Sequence, residues 1–193
     1  TRAYVKIQDG CNNYCAYCII PYVRGSIRSK NFLEAVNEIK DLVLKGHKEI
    51  VFTGINTGAY GKEHGKYDLT DLIREISKID GLDRIRVSSI EITELDEEFM
   101  DVLNSSKILV DHMHIPIQSG SNEILKLMNR KYDKKYFIEK IEKINIENKE
   151  KINILITHGT LDGASLEEKE YNSMSKKVIE GKEFDYVALG HIH

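Results

Sequence analysis

The 193-residue sequence lacks tryptophan, has only two prolines and three cysteines, and contains no long apolar segment. No apolar run approaches the roughly 20 residues that a membrane-spanning helix needs, so we predict no membrane partner. The formal net charge of −3 carries no bulk signature of nucleic-acid binding, although a local basic patch would escape that sum. An odd cysteine count without a secretory signal argues against a disulfide framework and favours a cytoplasmic location.

The three cysteines are concentrated in one short run, Cys11, Cys15 and Cys18, with the spacing C-x3-C-x2-C. Three thiolates on one loop can bind three irons of a [4Fe–4S] cluster and leave the fourth iron open for a substrate or cofactor. Structural zinc is the main alternative, but it would need a fourth ligand such as a distant histidine. The spacing therefore favours an open cluster with a catalytic role, with zinc or a chance grouping of thiols as the alternatives.

Short β-branched segments alternate with amphipathic, helix-like segments along the chain. The strand candidates are Tyr4–Gln8, Glu49–Thr53, Arg84–Ser89, His112–Gln118, Ile152–Thr157 and Tyr186–Leu189. Four helix candidates begin after Asn31, Asp68, Thr93 and Asp133, with Asn31 and Asp68 as predicted caps, and two more cover 122–128 and about 166–180. Repeated βα units predict an α/β fold with a parallel sheet, curled by right-handed crossovers into a barrel or partial barrel.

Polar segments follow the carboxyl ends of the predicted strands, which is where functional groups gather in such folds. They are the cysteine loop, Thr53–Asn56, Ser88–Glu91 and Gln118–Ser121. We expect these four segments to form one site.

The segment from Thr1 to about Ile144 resembles the radical SAM domain of the tRNA methylthiotransferase family. The resemblance lies in Thr1–Gly25, Val51–Asn56, His114–Ser121 and Met128–Arg130. It is greatest for the branch that modifies threonylcarbamoyladenosine beside the anticodon. It implies a partial (βα)6 TIM-like barrel in which the three cysteines bind a [4Fe–4S] cluster and the open iron chelates S-adenosylmethionine. Reductive cleavage would then give a 5′-deoxyadenosyl radical that abstracts hydrogen from a tRNA adenine before sulfur and methyl are installed.

The resemblance also implies roles for other residues. The cofactor-binding candidates are Tyr17, Gly54, Glu91, Gln118 and Ser119. Simple loop packing is the alternative for Tyr17, a tight turn for Gly54 and a solvated loop for Glu91. The tRNA-binding candidates are Arg24 and Arg28, with a solvated surface as their alternative. The implied partners are tRNA and an electron donor such as flavodoxin or ferredoxin.

The last quarter of the chain departs from this pattern. Asn153–Gly163 and Phe184–His193 resemble the final motifs of calcineurin-like metallophosphoesterases, which implies His158, His191 and His193 as ligands of Mn, Fe or Zn. The earlier motifs of that family do not occur. The expected organisation is a radical SAM core at 1–145, a junction at 146–151, and a phosphoesterase-like fragment at 152–193. We expect that fragment either to supply the last two βα units, which would then derive from a different protein family, or to form a loosely docked tail.

Three hypotheses follow from the sequence. The first is a radical SAM tRNA methylthiotransferase domain, incomplete in this chain. The second is a metal-dependent phosphoesterase or exonuclease fragment that uses the C-terminal histidines. The third is a truncated chimera that has neither activity.

Overall fold

The computed structural model describes residues 1–110 and 112–143, and beyond them the backbone of strands at 154–158, 160–161, 173–174 and 186–190. Two compact units can be separated. The first comprises Thr1–Ile117 with Met128–Lys131, and the second comprises Gln118–Leu127 with Tyr132–His193.

The first unit alternates strands and helices, as the sequence predicts. Its elements are β1 (Arg2–Lys6), β2 (Gln8–Asp9), α1 (Ile20–Arg24), β3 (Arg28–Ser29), α2 (Phe32–Leu44), β4 (Glu49–Thr53), α3 (Leu69–Ile76), β5 (Arg84–Val87) and α4 (Glu97–Ser105). Strands β1, β4 and β5 form a parallel sheet in that order. Its carboxyl ends therefore carry the cysteine loop, the segment after Thr53 and the segment after Val87 on one edge.

Apolar side chains of this sheet and its helices form the core. The fully buried sheet residues include Val5, Ile50, Phe52 and Ile85, and the buried helix residues include Ile39, Leu72, Ile73, Ile76, Phe99 and Val102. Burial of these side chains is the main source of stability for the unit, at about 1.5–3 kcal/mol for each large side chain. The core holds the strands in parallel register and so sets the spacing of the loops at their ends.

Side-chain caps begin the helices at two predicted positions. Asn31 accepts hydrogen bonds from the backbone nitrogens at the start of α2, and Asp68 forms a capping box with Asp71 at the start of α3. The helix predicted after Thr93 begins only at Glu97, because residues 92–94 form a 3₁₀ turn, so Thr93 does not cap it. Asp96 caps α4 instead, since its carboxylate accepts a hydrogen bond from the Phe99 amide at 2.8 Å.

The predicted strand at 112–118 is also wrong within the described residues. This stretch contributes isolated parallel bridges, Ile85 with Leu109 and Ser89 with His114, beside β5. Pro116 has no N–H to donate to a strand ladder, and Gln118 has a positive φ of 62°, so the chain leaves the extended conformation here.

The second unit contains α5 (Asn122–Leu127), α6 (Lys134–Lys143), β6 (Ile154–His158), β7 (Thr160–Leu161), β8 (Ser173–Met174) and β9 (Tyr186–Gly190). Strands β6 and β9 pair in parallel, which confirms strands near both predicted positions. Strand β8 pairs with β7 and lies inside the predicted helix at 166–180, so that prediction is wrong at Ser173–Met174. In the described part of the chain, no helix is long and apolar enough to span a membrane.

Candidate cofactor site

The cysteine loop leaves the sheet at a glycine that no other residue can replace without strain. Gly10 has φ +72°, and a Cβ added there would overlap the carbonyl oxygen of Ser26. The Cys11 amide donates a hydrogen bond to the Gly25 carbonyl at 3.1 Å. The antiparallel pairing of β2 with β3 lies beside this contact. The loop is therefore closed at its base, and all three thiols lie within the closed segment.

The three thiols are free and partly exposed. Within the loop, the Cys18 amide donates to the Cys15 carbonyl at 2.9 Å, and the Asn13 amide donates to the Cys11 Sγ at 3.5 Å. Burial raises the pKa of the Cys11 thiol above its ordinary value. Because the thiolate is the form that binds metal, a metal centre at Cys11 must displace this proton.

The donor set fits an iron–sulfur cluster. Among the described residues, no three His, Cys, Asp or Glu side chains are arranged to hold a single metal ion. Ligands of a cluster bind different irons and need not converge on one point. Three free thiols on one closed loop match the three-cysteine ligation that leaves one iron of a [4Fe–4S] cluster open.

Gln8 joins the cysteine loop to the end of β4. Its Oε1 accepts hydrogen bonds from the Ile55 and Asn56 amides, both at 2.9 Å. Its Nε2 donates to the Gly10 carbonyl at 2.7 Å. A Cβ on Gly54 would lie 2.9 Å from the Gln8 Oε1, so close approach of this amide accounts for the glycine. Gln8 was not among the predicted site residues, although a polar residue at the end of a buried strand was an available signal.

Glu91, in the segment that follows β5, lies against an arginine that was not among the predicted site residues. The Arg130 Nη1 donates to the Glu91 Oε2 at 2.7 Å, and the two side chains are only 6% and 11% exposed. Burial raises the pKa of Glu91, although the Arg130 guanidinium opposes this shift. The other oxygen, Glu91 Oε1, is buried and has no hydrogen-bond partner among the described residues. A buried acceptor of this kind is costly unless a bound donor satisfies it.

Tyr17 lies beside the same arginine. The Arg130 Nη2 donates to the Tyr17 hydroxyl at 2.6 Å, and the guanidinium carbon is 5.8 Å from the ring centroid. The Tyr17 side chain is still 57% exposed. Tyr17, Arg130 and Glu91 thus form a chain of contacts from the cysteine loop to the end of β5. The available signal for Arg130 was the segment Met128–Arg130, which already contributed to the family resemblance.

The other cofactor-binding candidates lie in the second unit. Ser119 is buried and its Oγ accepts a hydrogen bond from the Ser121 amide at 3.1 Å. Gln118 has the positive φ noted above. Their predicted role in the site stays a prediction.

The two tRNA-binding candidates share one carboxylate. The Asp9 side chain lies 3.2 Å from Arg24 and 3.6 Å from Arg28, and it also accepts a hydrogen bond from Lys6 at 2.7 Å. The hydrogen bond from Lys6, followed by those from the Gly10 amide and from Arg24, holds the pKa of Asp9 well below its ordinary range. Both arginines are exposed, so the structure places a basic surface directly beside the cysteine loop.

The C-terminal metal-ligand candidates lie largely outside the described residues. His158 is the last residue of β6, and only its backbone is described. His191 and His193 lie outside the described residues. The predicted Mn, Fe or Zn site therefore stays a prediction.

Comparison with known proteins identifies relatives over most of the chain. The chain is 47% identical to the threonylcarbamoyladenosine tRNA methylthiotransferase MtaB of Bacillus subtilis over 145 residues, which is 75% of this chain and 32% of that protein. It is 37% identical to the tRNA-2-methylthio-N(6)-dimethylallyladenosine synthase of Clostridium tetani over 187 residues, which is 96% of this chain and 40% of that protein. The chain thus spans about a third of the length of the curated relatives it matches.

Solved structures show the same fold at low sequence identity. The radical S-adenosylmethionine methyltransferase TsrM of Kitasatospora setae, solved with cobalamin and a [4Fe–4S] cluster, superimposes with a TM-score of 0.58 at 17% identity. That match covers 81% of this chain and 31% of TsrM. The cobalamin-dependent S-adenosylmethionine radical enzyme OxsB gives a TM-score of 0.57 at 16% identity, over 75% of this chain and 22% of OxsB.

The family model of the radical SAM superfamily matches residues 5–169. It extends beyond the predicted junction at 146–151, and these matches lend no support to a phosphoesterase origin for residues 152–193. They do confirm the predicted α/β radical SAM fold, whose family cofactors are a [4Fe–4S] cluster and S-adenosylmethionine. The chain therefore belongs to the radical SAM superfamily.

Proposed function

We propose that this chain is the S-adenosylmethionine-cleaving part of a tRNA methylthiotransferase that acts on an adenosine beside the anticodon, of the threonylcarbamoyladenosine type. The observation that carries the proposal is the 47% identity to the Bacillus subtilis enzyme over 145 residues. The three-cysteine loop and the strand ends beside it lie inside the matched superfamily segment. The chain spans only about a third of such relatives, so we assign to it the cleavage of S-adenosylmethionine.

Cys11, Cys15 and Cys18 would hold the cluster. When reduced, a [4Fe–4S] cluster with an open iron supplies the electron that cleaves the sulfonium of S-adenosylmethionine. The closed base of the loop, with its Gly10 turn and the hydrogen bond from Cys11 to Gly25, holds the thiols at the carboxyl edge of the sheet. An electron donor such as flavodoxin or ferredoxin completes this proposal.

The residues around the loop offer complementary groups to S-adenosylmethionine. Glu91 presents a buried acceptor oxygen that a hydroxyl or ammonium donor of the cofactor would satisfy. Tyr17 presents an exposed ring on which the adenine can pack. At Gly54 the Gln8 side chain already fills the space that a Cβ would take, so a cofactor contact there would be made by the Gly54 backbone groups. We assign Gln118 and Ser119 to the same role from the family resemblance.

Arg24 and Arg28 would contact tRNA phosphates. Their ion pairs with Asp9 are exposed and screened by solvent, so a phosphate can replace the carboxylate at little cost. The two guanidiniums lie on the surface beside the cysteine loop. A substrate bound there would bring its base towards the cofactor.

Anaerobic reconstitution with iron and sulfide tests the cofactor part. We expect about four irons per chain, and a change in the electron paramagnetic resonance spectrum of the reduced cluster when S-adenosylmethionine is added. Cys15→Ser should abolish the cluster, whereas Ala16→Ser, a matched control that adds a hydroxyl to the same loop, should retain it. An unchanged spectrum on addition of S-adenosylmethionine would contradict the proposal.

Binding of unmodified tRNA at several salt concentrations tests the substrate part. Arg24→Gln with Arg28→Gln should weaken binding and reduce the dependence of log K on log salt by roughly 1 for each lost phosphate contact. Arg84→Gln removes an exposed arginine from the start of β5, at the opposite edge of the sheet, and should change neither quantity. If the Arg24/Arg28 variant and the Arg84 variant changed tRNA binding equally, Arg24 and Arg28 would not be tRNA contacts.

A further inference from the structure

We infer that Met128–Arg130, which we term the latch, positions the cysteine loop, and that Arg130 is the positioning residue for both Tyr17 and Glu91. The latch contacts the loop although more than a hundred residues separate the two segments in the sequence. Both segments lie in the first compact unit. Nothing in the spacing of the cysteines requires this support.

The middle of the loop depends on the latch for hydrogen bonds. The Ala16 amide donates to the Met128 carbonyl at 3.1 Å, and the Asn129 Nδ2 donates to the Tyr14 carbonyl at 2.8 Å. These two bonds flank Cys15 on both sides. Tyr14 has φ +48°, a left-handed conformation that is uncommon for a bulky residue and persists only when its surroundings impose it. The latch supplies that constraint.

Asn129 is suited to its place in the latch. Its φ is +58°, and asparagine tolerates the left-handed conformation better than other residues with a Cβ. That backbone turn points the side-chain amide towards the loop carbonyl while Met128 and Arg130 contact their own partners. The Lys131 Nζ donates to the Asn129 Oδ1 at 3.0 Å and so fixes the orientation of the amide.

Arg130 connects the latch to the end of β5. Its Nη1 contacts Glu91 and its Nη2 contacts Tyr17, so one planar guanidinium sets the positions of two groups on separate segments. A lysine keeps the charge but cannot present two donors in a fixed fork. The pair with Glu91 is nearly buried, and removal of the arginine would leave a buried carboxylate without its cation.

Hydrogen exchange in the metal-free full chain tests the latch directly. Asn129→Asp keeps the side-chain shape and the tolerance for positive φ but removes the donor to Tyr14. We expect the Ala16 amide to exchange about two- to tenfold faster, the effect of losing one hydrogen bond. The Cys11 amide, bonded to Gly25 outside the latch contacts, should exchange at the rate of the unaltered protein. Unchanged exchange at Ala16 in a variant that unfolds cooperatively would overturn the latch.

Arg130→Lys tests the positioning role. We expect the thermal midpoint to fall little, because the cation beside Glu91 remains. In the reconstituted protein, the spectrum with S-adenosylmethionine should differ from that of the unaltered chain, and a chelator should remove iron several-fold faster. Arg84→Met, at an exposed arginine away from the loop, is the control. If the spectrum and the rate of iron loss of Arg130→Lys equal those of the unaltered chain, Arg130 is only structural and the proposed positioning role is wrong.

This inference rests on the proposed function only for the cluster readouts. If the unaltered chain takes up no cluster, the proposed function fails while the exchange result at Ala16 still decides on the latch. If the unaltered chain takes up a cluster and Asn129→Asp leaves the exchange unchanged, the latch fails while the proposed function stands.

Discussion

The side-chain oxygen of Gln8 lies 2.9 Å from the backbone nitrogen of Asn56, and this hydrogen bond joins two parallel strands beyond the ends of their ladders. Gln8 is 1% exposed, and both ends of its amide are satisfied by backbone groups of the two adjoining loops. One buried side chain thus ties the start of the cysteine loop to the segment after β4.

Gln8→Leu should destabilise the protein by at least about 2 kcal/mol, because several buried backbone groups lose their partners at once. Urea unfolding would give the change in the free energy of unfolding. Asn37→Leu, at an exposed position of α2, is a control for replacing an amide with an apolar side chain and should change stability by less than about 0.5 kcal/mol. Equal midpoints for the two variants would contradict the role of Gln8.

Gly10→Ala should be more destabilising than Gly46→Ala. Both glycines have positive φ, +72° and +90°, so both substitutions carry a backbone penalty of about 1 kcal/mol. Only at Gly10 would the new Cβ overlap backbone atoms, while nothing lies within 4 Å at Gly46. Thermal midpoints of the two variants measure the difference. A Gly10 variant no less stable than the Gly46 variant would show that the loop base adapts freely.

Asp68→Ala should cost about 1 kcal/mol, since the Asp71 amide in the first turn of α3 loses its side-chain acceptor. Asp68→Asn keeps an acceptor oxygen and should recover most of this loss. Chemical denaturation of the unaltered protein and the two variants gives both changes in the free energy of unfolding. Identical stability of the alanine and asparagine variants would mean that the cap contributes nothing.

Glu49 should make stability depend on pH. Burial works to raise its pKa, but hydrogen bonds from Arg2 and Arg86 outweigh burial and leave the pKa below its ordinary value. A folded pKa below the unfolded one gives a stabilisation that is present above about pH 4.3 and is lost as pH falls through the folded pKa. Glu49→Gln should therefore cost more stability at pH 7 than at pH 3.

Urea midpoints of both proteins at the two pH values measure this difference. Glu97→Gln, at an exposed glutamate of α4, is the control for replacing a carboxylate with an amide. If Glu49→Gln cost more stability at pH 3 than at pH 7, the direction of the Glu49 pKa shift would be wrong.

Local patterns accounted for much of the fold. The spacing of apolar residues located β4 at its observed bounds and placed α2 and α3, and Asn31 and Asp68 were recognised as caps because capping involves residues only two or three positions apart. The strand predicted at 112–118 failed because pairing beside β5 depends on contacts between segments that are distant in sequence, and only isolated bridges form there. Residues 92–94 form a 3₁₀ turn, so the helix predicted after Thr93 begins later.

The features of the candidate site were likewise only partly predictable from the sequence. The sequence by itself determined the three-thiol loop, the family and the order of the strand-end segments, since these follow from cysteine spacing and motifs read along the chain. Only the tertiary structure brought Gln8 to Asn56, and Arg130 to Glu91 and Tyr17. No local periodicity encodes such contacts, because they exist only once the parallel register has aligned the strand ends and the core has brought distant segments together.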